Sequence, residues 1–163
     1  RLTLGHLAAR AGVSKPVAYD HFGTRSGLLI DLYRWIDSER IEAFRNSMAA
    51  VPRDRDATIA CLAEAYIRCA ADLTGEFQLI GAALAGSPEK AEVYAELLDL
   101  SVAMFVSVLE PFAGASPQAA VARCIGLVGA GEGLSEAIVR GKLSEEAGIA
   151  AFVEIIKGSL MQL

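Results

Sequence analysis

Along the 163 residues, apolar side chains recur every three to four positions and strict alternation is scarce, a pattern that predicts helices rather than strands. At the start, Leu4, Leu7, Ala8 and Ala11 fall at i, i+3, i+4 and i+7, one buried helix face. Thr3 stands before that face and can accept a bond from a first-turn N–H. Gly12 follows it, where a helix ending in a left-handed residue favours glycine, and Val13 is expected to turn inward. Ser14 then reads as a second N-cap, with Pro16 in the first turn, where a missing N–H costs nothing. The second helix is expected from about Lys15 to His21, with Ala18 and Phe22 facing inward. Two short helices joined by a glycine-containing three-residue turn predict a helix-turn-helix.

One long helical pattern follows, from about Arg25 to Ala50, with Leu29, Leu32, Ile36 and Ala43 on one stripe and Trp35, Ile41 and Phe44 on a shifted one. Burial on two sides suits a helix that links the first part to the rest. Val51-Pro52-Arg53-Asp54 is a break. Asp54 or Asp56 can cap the next helix, expected to reach about Leu73, with Ile59, Leu62, Ala63, Tyr66, Ile67 and Ala70 inward. Glu64 and Arg68 stand at i, i+4 as a surface ion pair. A short helix is expected over Glu76 to Ala85, then a break at Gly86-Ser87-Pro88. Glu89 to Phe112 reads as one helix, with a stripe of Val93, Leu97, Leu100, Met104 and Val108.

The last two helices are placed at about Gln118 to Arg140 and Ser144 to Leu163. The first is apolar almost all round and therefore buried, with Glu132, Glu136 and Arg140 as its polar stripe. The other has Ile149, Phe152, Val153, Ile156, Leu160 and Leu163 on one face, and Gly148, Ala151, Ile155 and Gly158 on another. The expected fold is all-α, about eight helices, divided into residues 1–25 and a larger helical part, 26–163.

The outer face of the second helix carries Lys15, Val17, Tyr19 and His21. Such a face can enter a major groove, where Lys15 reaches a phosphate or guanine and the Val17 methyls touch a thymine methyl. Tyr19 and His21 can hydrogen-bond phosphate oxygens, which positions the helix. Thr24 is a third N-cap, and the helix N-terminus it opens, beside Arg25, is an anion site.

The overall charge of −5 looks wrong for a nucleic-acid binder until it is divided. Residues 1–25 hold four basic side chains against Asp20, a net +3; residues 26–163 hold 11 basic and 19 acidic, a net −8. The basic end can bind phosphate while the acidic remainder discourages wrapping.

Other chemistry finds little footing. The sequence is 53% hydrophobic but only 7% aromatic, so the core is mostly Ala, Leu, Val and Ile. Its longest uncharged runs fall short of the ~18–20 apolar residues of a membrane span, and with no leader visible a cytoplasmic location is expected. Cys61, Cys69 and Cys124 lack metal or redox spacing and read as buried thiols. The glycine run from Gly126 to Gly133 imitates a dinucleotide fingerprint, but Leu134 stands where the third glycine belongs. The two histidines, His6 and His21, both lie in the first stretch, so no histidine triad can form in the larger part. No cofactor or metal is expected, and no enzyme. The rival expectation is a helical interaction or enzyme domain that keeps the helix-turn-helix shape without binding DNA.

Leu7-Ala8-Ala9-Arg10-Ala11-Gly12-Val13-Ser14, followed by Tyr19, Phe22, Arg25, Leu28 and Leu29, resembles the DNA-binding segment of the tetracycline-repressor (TetR) family of bacterial regulators. The matching residues fall in order over a stretch of about two dozen positions. The resemblance implies a homodimeric transcriptional regulator that contacts DNA through Thr3, Ser14, Lys15, Pro16, Val17, Tyr19, His21, Thr24 and Arg25, and a repressor released from its operator by a small molecule. Arg25 replaces the usual lysine, Asp20 adds a negative charge to the reading helix, and Pro16-Val17-Ala18 is an uncommon filling, so the operator is not implied. The family also has a helix before this point, and one is expected ahead of Arg1 to cover Leu4, Leu7, Val13 and Phe22. Its members bind effectors within the larger part; here Tyr66, Cys69, Phe77, Tyr94, Met104 and Phe105 are the candidate lining, suited to a lipophilic ligand.

The final pair of helices is expected to form the dimer contact. Each is apolar on two sides, and the second side would be a larger exposed patch than a monomer tolerates. Gly126, Gly129, Gly133, Leu134, Gly148, Ala151, Ile155 and Gly158 are the candidate interface residues.

Overall fold

Seven helices and no strand make up the described residues, which in this computed structural model are 3–49, 54–71, 88–114 and 116–161. They are α1 (Leu4–Ala11), α2 (Lys15–Phe22), α3 (Arg25–Ala49), α4 (Arg55–Ala71), α5 (Pro88–Ala113), α6 (Pro117–Val139) and α7 (Glu145–Leu160). The all-α expectation holds. The helix expected at 76–85, with Phe77, lies outside the described residues.

Local chemistry sets most boundaries. The Asp54 carboxylate accepts from the Ala57 N–H at 2.9 Å and caps α4. Ser116 accepts from Ala119 and precedes Pro117 at the first position of α6. Ser144 accepts from Ala147 at 3.2 Å and caps α7. Between α6 and α7, Gly141 takes φ 68°, the left-handed conformation glycine adopts without steric cost.

The main core joins α4, α5, α6 and α7, with Phe44 entering from α3. α4 packs on both α6 and α7, and α6 also packs on α5 and α7. At its centre Tyr66, Phe105 and Phe152 form an aromatic group: Tyr66 meets Phe105 edge-on at 5.1 Å and lies 5.8 Å from Phe152. Gly131 of α6 lies against this group, because a Cβ there would stand 2.5 Å from Tyr66 Cε1 and 3.1 Å from Phe152 Cζ. A glycine in mid-helix, which costs roughly 0.5–1 kcal/mol relative to alanine, here buys room for a tyrosine ring.

α3 spans the molecule. Its first half buries Leu29 and Tyr33 against Val93 of α5, with Ile30, Ile36 and Leu97 around them. Arg34 and Glu96 bridge the same two helices at 2.9 Å. Further along, Phe44 and Met48 pack on the main core. The burial departs from the expected stripes: Leu32, Trp35 and Ala43 are exposed, and Tyr33 is buried instead. A helix touching neighbours at two separated places buries a few residues at each, so no continuous stripe is required.

Three further expectations are corrected. On α5 the expected stripe included Leu100, which is exposed, whereas Phe105 and Leu109 are buried; contacts with both α3 and α6 divide its apolar positions. Gly148 does not face outward with Gly158: it is buried, and a Cβ there would meet Ile138 Cδ1 at 2.6 Å. Glu132, in line with Glu136 and Arg140 as expected, is half-buried and bonded to two tyrosines rather than open to water, as described below. The Glu64–Arg68 pair is present at 2.7 Å, and Arg68 also reaches Glu145 of α7 at 2.9 Å.

Candidate functional site

The first site is built by a succession of helix caps between Thr3 and Thr24. Thr3 Oγ1 accepts from the His6 N–H at 3.2 Å and starts α1. Gly12 ends it at φ 69°, and the Val13 N–H returns to the Ala8 carbonyl at 3.0 Å, the 6→1 bond of a Schellman turn. Ser14 has the extended backbone of an N-cap, but its side chain makes no cap bond. Pro16 in the first turn of α2 has no N–H to offer it. Gly23 closes α2 at φ 62°, its N–H bonded to the Tyr19 carbonyl at 2.8 Å. Thr24 Oγ1 then accepts from Gly27 at 3.0 Å and opens α3.

Leu4, Ala8, Ala18 and Leu29 are the buried positions of α1, α2 and the start of α3. Phe22 is half-buried, and Val13 is 45% exposed rather than tucked inward. Gly27 is a residue the pattern did not single out. A side chain there would collide with the Phe22 carbonyl, so glycine lets α3 start directly beneath the end of α2. Its signal was faint, a single glycine just inside a helix start.

The outward face of α2 presents Lys15, Val17, Tyr19, Asp20 and His21, with Val17 54% and Tyr19 51% exposed. The Lys15 stem runs alongside Gly5 of α1, 3.5 Å from where a Cβ would be, so the two helices jointly direct it. His21 rests edge-on against Phe22 at 4.5 Å. Thr24 and Arg25 are exposed at the N-terminus of α3, a 25-residue helix whose first turn holds no acidic side chain. Thr3, Ser14 and Pro16 are exposed as well. One surface therefore offers Lys15, Arg25, a phenol, an imidazole and a helix N-terminus, which together can hold phosphate, while Val17 supplies apolar contact.

The second site lies where α3, α4, α5 and α6 meet. Tyr66 of α4 donates to Glu132 Oε1 at 2.9 Å, and Tyr94 of α5 donates to Oε2 of the same carboxylate at 2.8 Å. Both carboxylate oxygens are thus engaged by neutral phenols. Burial, with the negative charge of Glu132 second, pushes the Tyr66 hydroxyl far above the ordinary phenol range. Burial and the hydrogen bond to Glu132 push Tyr94 up to about 12. Tyr33 of α3 is also raised, by burial first and then by the charges of Tyr94, Asp37 and Glu132, with Arg40 opposing. Burial raises the Asp37 carboxyl too, against the pull of Arg40. Arg40 donates to the Cys69 carbonyl near the end of α4 at 3.2 Å, a cation at the negative end of a helix.

The expected pocket residues separate into different places. Tyr66 and Tyr94 converge on Glu132. Cys69 lines a groove of about 450 Å³ between α3 and α4, with Arg40, Phe44 and Arg68. Met104 lines another, of about 530 Å³, between α3 and α5, with Ile41, Arg45 and Met48. Phe105 is sealed in the core and does not line a groove. Sequence spacing could not bring Glu132 to the tyrosines, since they lie 66 and 38 positions away. Burial raises the thiols of Cys61, Cys69 and Cys124.

The expected dimer residues also separate. Gly126, Gly129, Gly133 and Gly158 have open space where a Cβ would stand, and Ile155 is exposed. Ala151 and Leu134 are half-buried, Leu134 against the main core, and Gly148 is inward. Val121 and Ile125 extend the exposed apolar face of α6.

A protein from Rhodococcus sp. assigned to the TetR family of transcriptional regulators superposes with a TM-score of 0.72 at 17% identity, over 98% of this chain and 88% of its own. A transcriptional regulator from Rhodococcus sp. Rha1 gives a TM-score of 0.59 at 20% identity, over 99% and 88%. No protein-family model matches the chain, and no curated protein does. The chain has the fold of these regulators, as the resemblance in its first two dozen residues led one to expect. Among the described residues no helix is long and apolar enough to cross a membrane.

Proposed function

We infer that the chain is a DNA-binding transcriptional regulator of TetR type, acting as a homodimer and, as a repressor, leaving its operator when a small molecule binds. The observation that carries this is the α1–α2 helix-turn-helix with its exposed Lys15, Val17, Tyr19 and His21 face beside Arg25 at the start of α3. Residues 1–25 form the reading head and residues 26–163 the effector and dimerisation part. Its work on DNA is cytoplasmic. Lys15 and Val17 read base edges; Thr3, Ser14, Tyr19, His21, Thr24 and Arg25 set the position on the phosphates, with Pro16 in apolar contact beside them.

The dimer is supported by the open glycines. A Cβ at Gly126, Gly129, Gly133 or Gly158 would meet nothing within 4 Å among the described residues, although a glycine inside a helix costs roughly 0.5–1 kcal/mol of helix stability. Close approach of a second copy across a two-fold axis accounts for them, together with Ala151, Ile155 and the exposed Val121 and Ile125. Two reading helices would then enter successive major grooves about 34 Å apart. α3 touches both α2 and the α4–α5 part, so an effector that shifts α3 changes that spacing.

A gel shift against DNA flanking the protein's own gene tests the reading. The unmodified chain should shift a near-palindromic fragment. Arg25→Ala and Tyr19→Phe should weaken binding to every sequence, with a flatter salt dependence for Arg25→Ala. Lys15→Ala and Val17→Ala should instead change sequence preference. Unchanged binding in the double variant of Arg25 and Tyr19 refutes the assignment, as does sedimentation of the unmodified chain as a monomer at micromolar concentration.

A further inference from the structure

Two of the four tyrosines in the chain bond a single carboxylate, and a third feels its charge. Tyr33, Tyr66 and Tyr94 come from α3, α4 and α5, Glu132 comes from α6, and each of the three phenols feels the Glu132 charge. The charged groups acting on Tyr66 and Tyr94 are Glu132 and, for Tyr94, Glu136 as well; no lysine or arginine among the described residues pairs with Glu132. Arg40 donates to the Cys69 carbonyl, and its charge acts on Asp37 and Tyr33. The carboxylate is half-buried and Tyr94 is 42% exposed, so the place is reachable from solvent.

We propose that the effector is an organic cation, such as a protonated or quaternary amine with apolar substituents, held with its charge against Glu132 among Tyr33, Tyr66 and Tyr94. This rests on the regulator reading above and names the ligand class for its effector part. The arrangement selects that class for three reasons. A carboxylate with no lysine or arginine paired to it among the described residues favours a positive ligand, and a partly desolvated setting strengthens the attraction. Aromatic faces attract a large, weakly hydrated cation. The two phenol donors already occupy Oε1 and Oε2, which disfavours a small metal ion that would need those oxygens and suits a diffuse charge that needs no bond to them. Because α3 through α6 each contribute one side chain, a ligand there touches every helix of the effector part that meets α3, including α3 itself.

The test uses three probes of nearly one shape: tetraphenylphosphonium, the anion tetraphenylborate and neutral triphenylphosphine oxide, titrated calorimetrically into the full chain. Tetraphenylphosphonium should bind roughly tenfold or more tighter than either of the others, and Glu132→Gln should remove that preference, a loss of roughly tenfold or more for a contact to a charged group. Tyr94→Phe keeps the ring and loses the hydroxyl that competes for the carboxylate, so cation binding should be retained or strengthened. A merely structural cluster would show no preference for the cation. Equal binding of the three probes, no binding of tetraphenylphosphonium up to millimolar concentration, or an unchanged preference in a folded Glu132→Gln overturns the proposal. A gel shift run alongside separates the two claims. Glu132-dependent cation binding without any DNA shift refutes the regulator reading alone, and a DNA shift without cation preference refutes this inference alone.

Discussion

Gly131→Ala puts the central packing argument at risk. A Cβ at this position would stand 2.5 Å from Tyr66 Cε1, 2.8 Å from Cδ1 and 3.1 Å from Phe152 Cζ. The Tyr66 ring has little freedom to yield, since Phe105 meets it edge-on at 5.1 Å and its hydroxyl is tied to Glu132 at 2.9 Å. Overpacking of this kind costs about 1–3 kcal/mol, reduced by the roughly 0.5–1 kcal/mol that alanine contributes to helix stability. A net loss of about 1–2 kcal/mol is expected, each kcal/mol lowering Tm by about 2–4 °C in a chain of this size. Gly148→Ala is the matched control. Its Cβ would meet Ile138 Cδ1 at 2.6 Å, a contact with a flexible aliphatic end that can rotate away, so its loss should stay under about 1 kcal/mol. Urea unfolding followed by far-ultraviolet circular dichroism, at one fixed protein concentration, compares the two. The packing argument fails if Gly131→Ala is as stable as the unmodified chain or no worse than Gly148→Ala.

Two further outcomes follow from the same geometry. On an alkaline titration read by tyrosinate absorbance, Tyr94 should ionise near pH 12, and Glu132→Gln should bring it back toward the ordinary phenol value; no change in the variant would contradict the Glu132 contact. Because the folded phenol is raised, its stabilising contribution is present below about pH 10 and is lost as pH rises through about 12, so alkaline unfolding should begin earlier when that contact carries stability. Gly12→Ala places a side chain at φ 69° and should destabilise the reading head by about 1 kcal/mol, weakening DNA binding at all sequences; amide exchange in α1 and α2 as slow as in the unmodified chain would refute this.

The sequence by itself determined the helices and the reading head, because their causes are local. Thr3, Gly12, Thr24, Asp54, Ser116 and Ser144 act on backbone groups within a few residues, so spacing along the chain suffices to find them. Even there Ser14 keeps the backbone of a cap without its side-chain bond, since whether a hydroxyl finds its N–H depends on rotamer as well as position. Tertiary structure alone decided which apolar face is inside. Gly148 and Gly158 look equivalent on a helical wheel, yet one meets Ile138 and the other open space. Only the fold could bring Glu132 to Tyr66 and Tyr94, because a contact across 66 or 38 residues is set by how whole helices pack, and a carboxylate among apolar residues reads identically in sequence whether it faces water or two phenols.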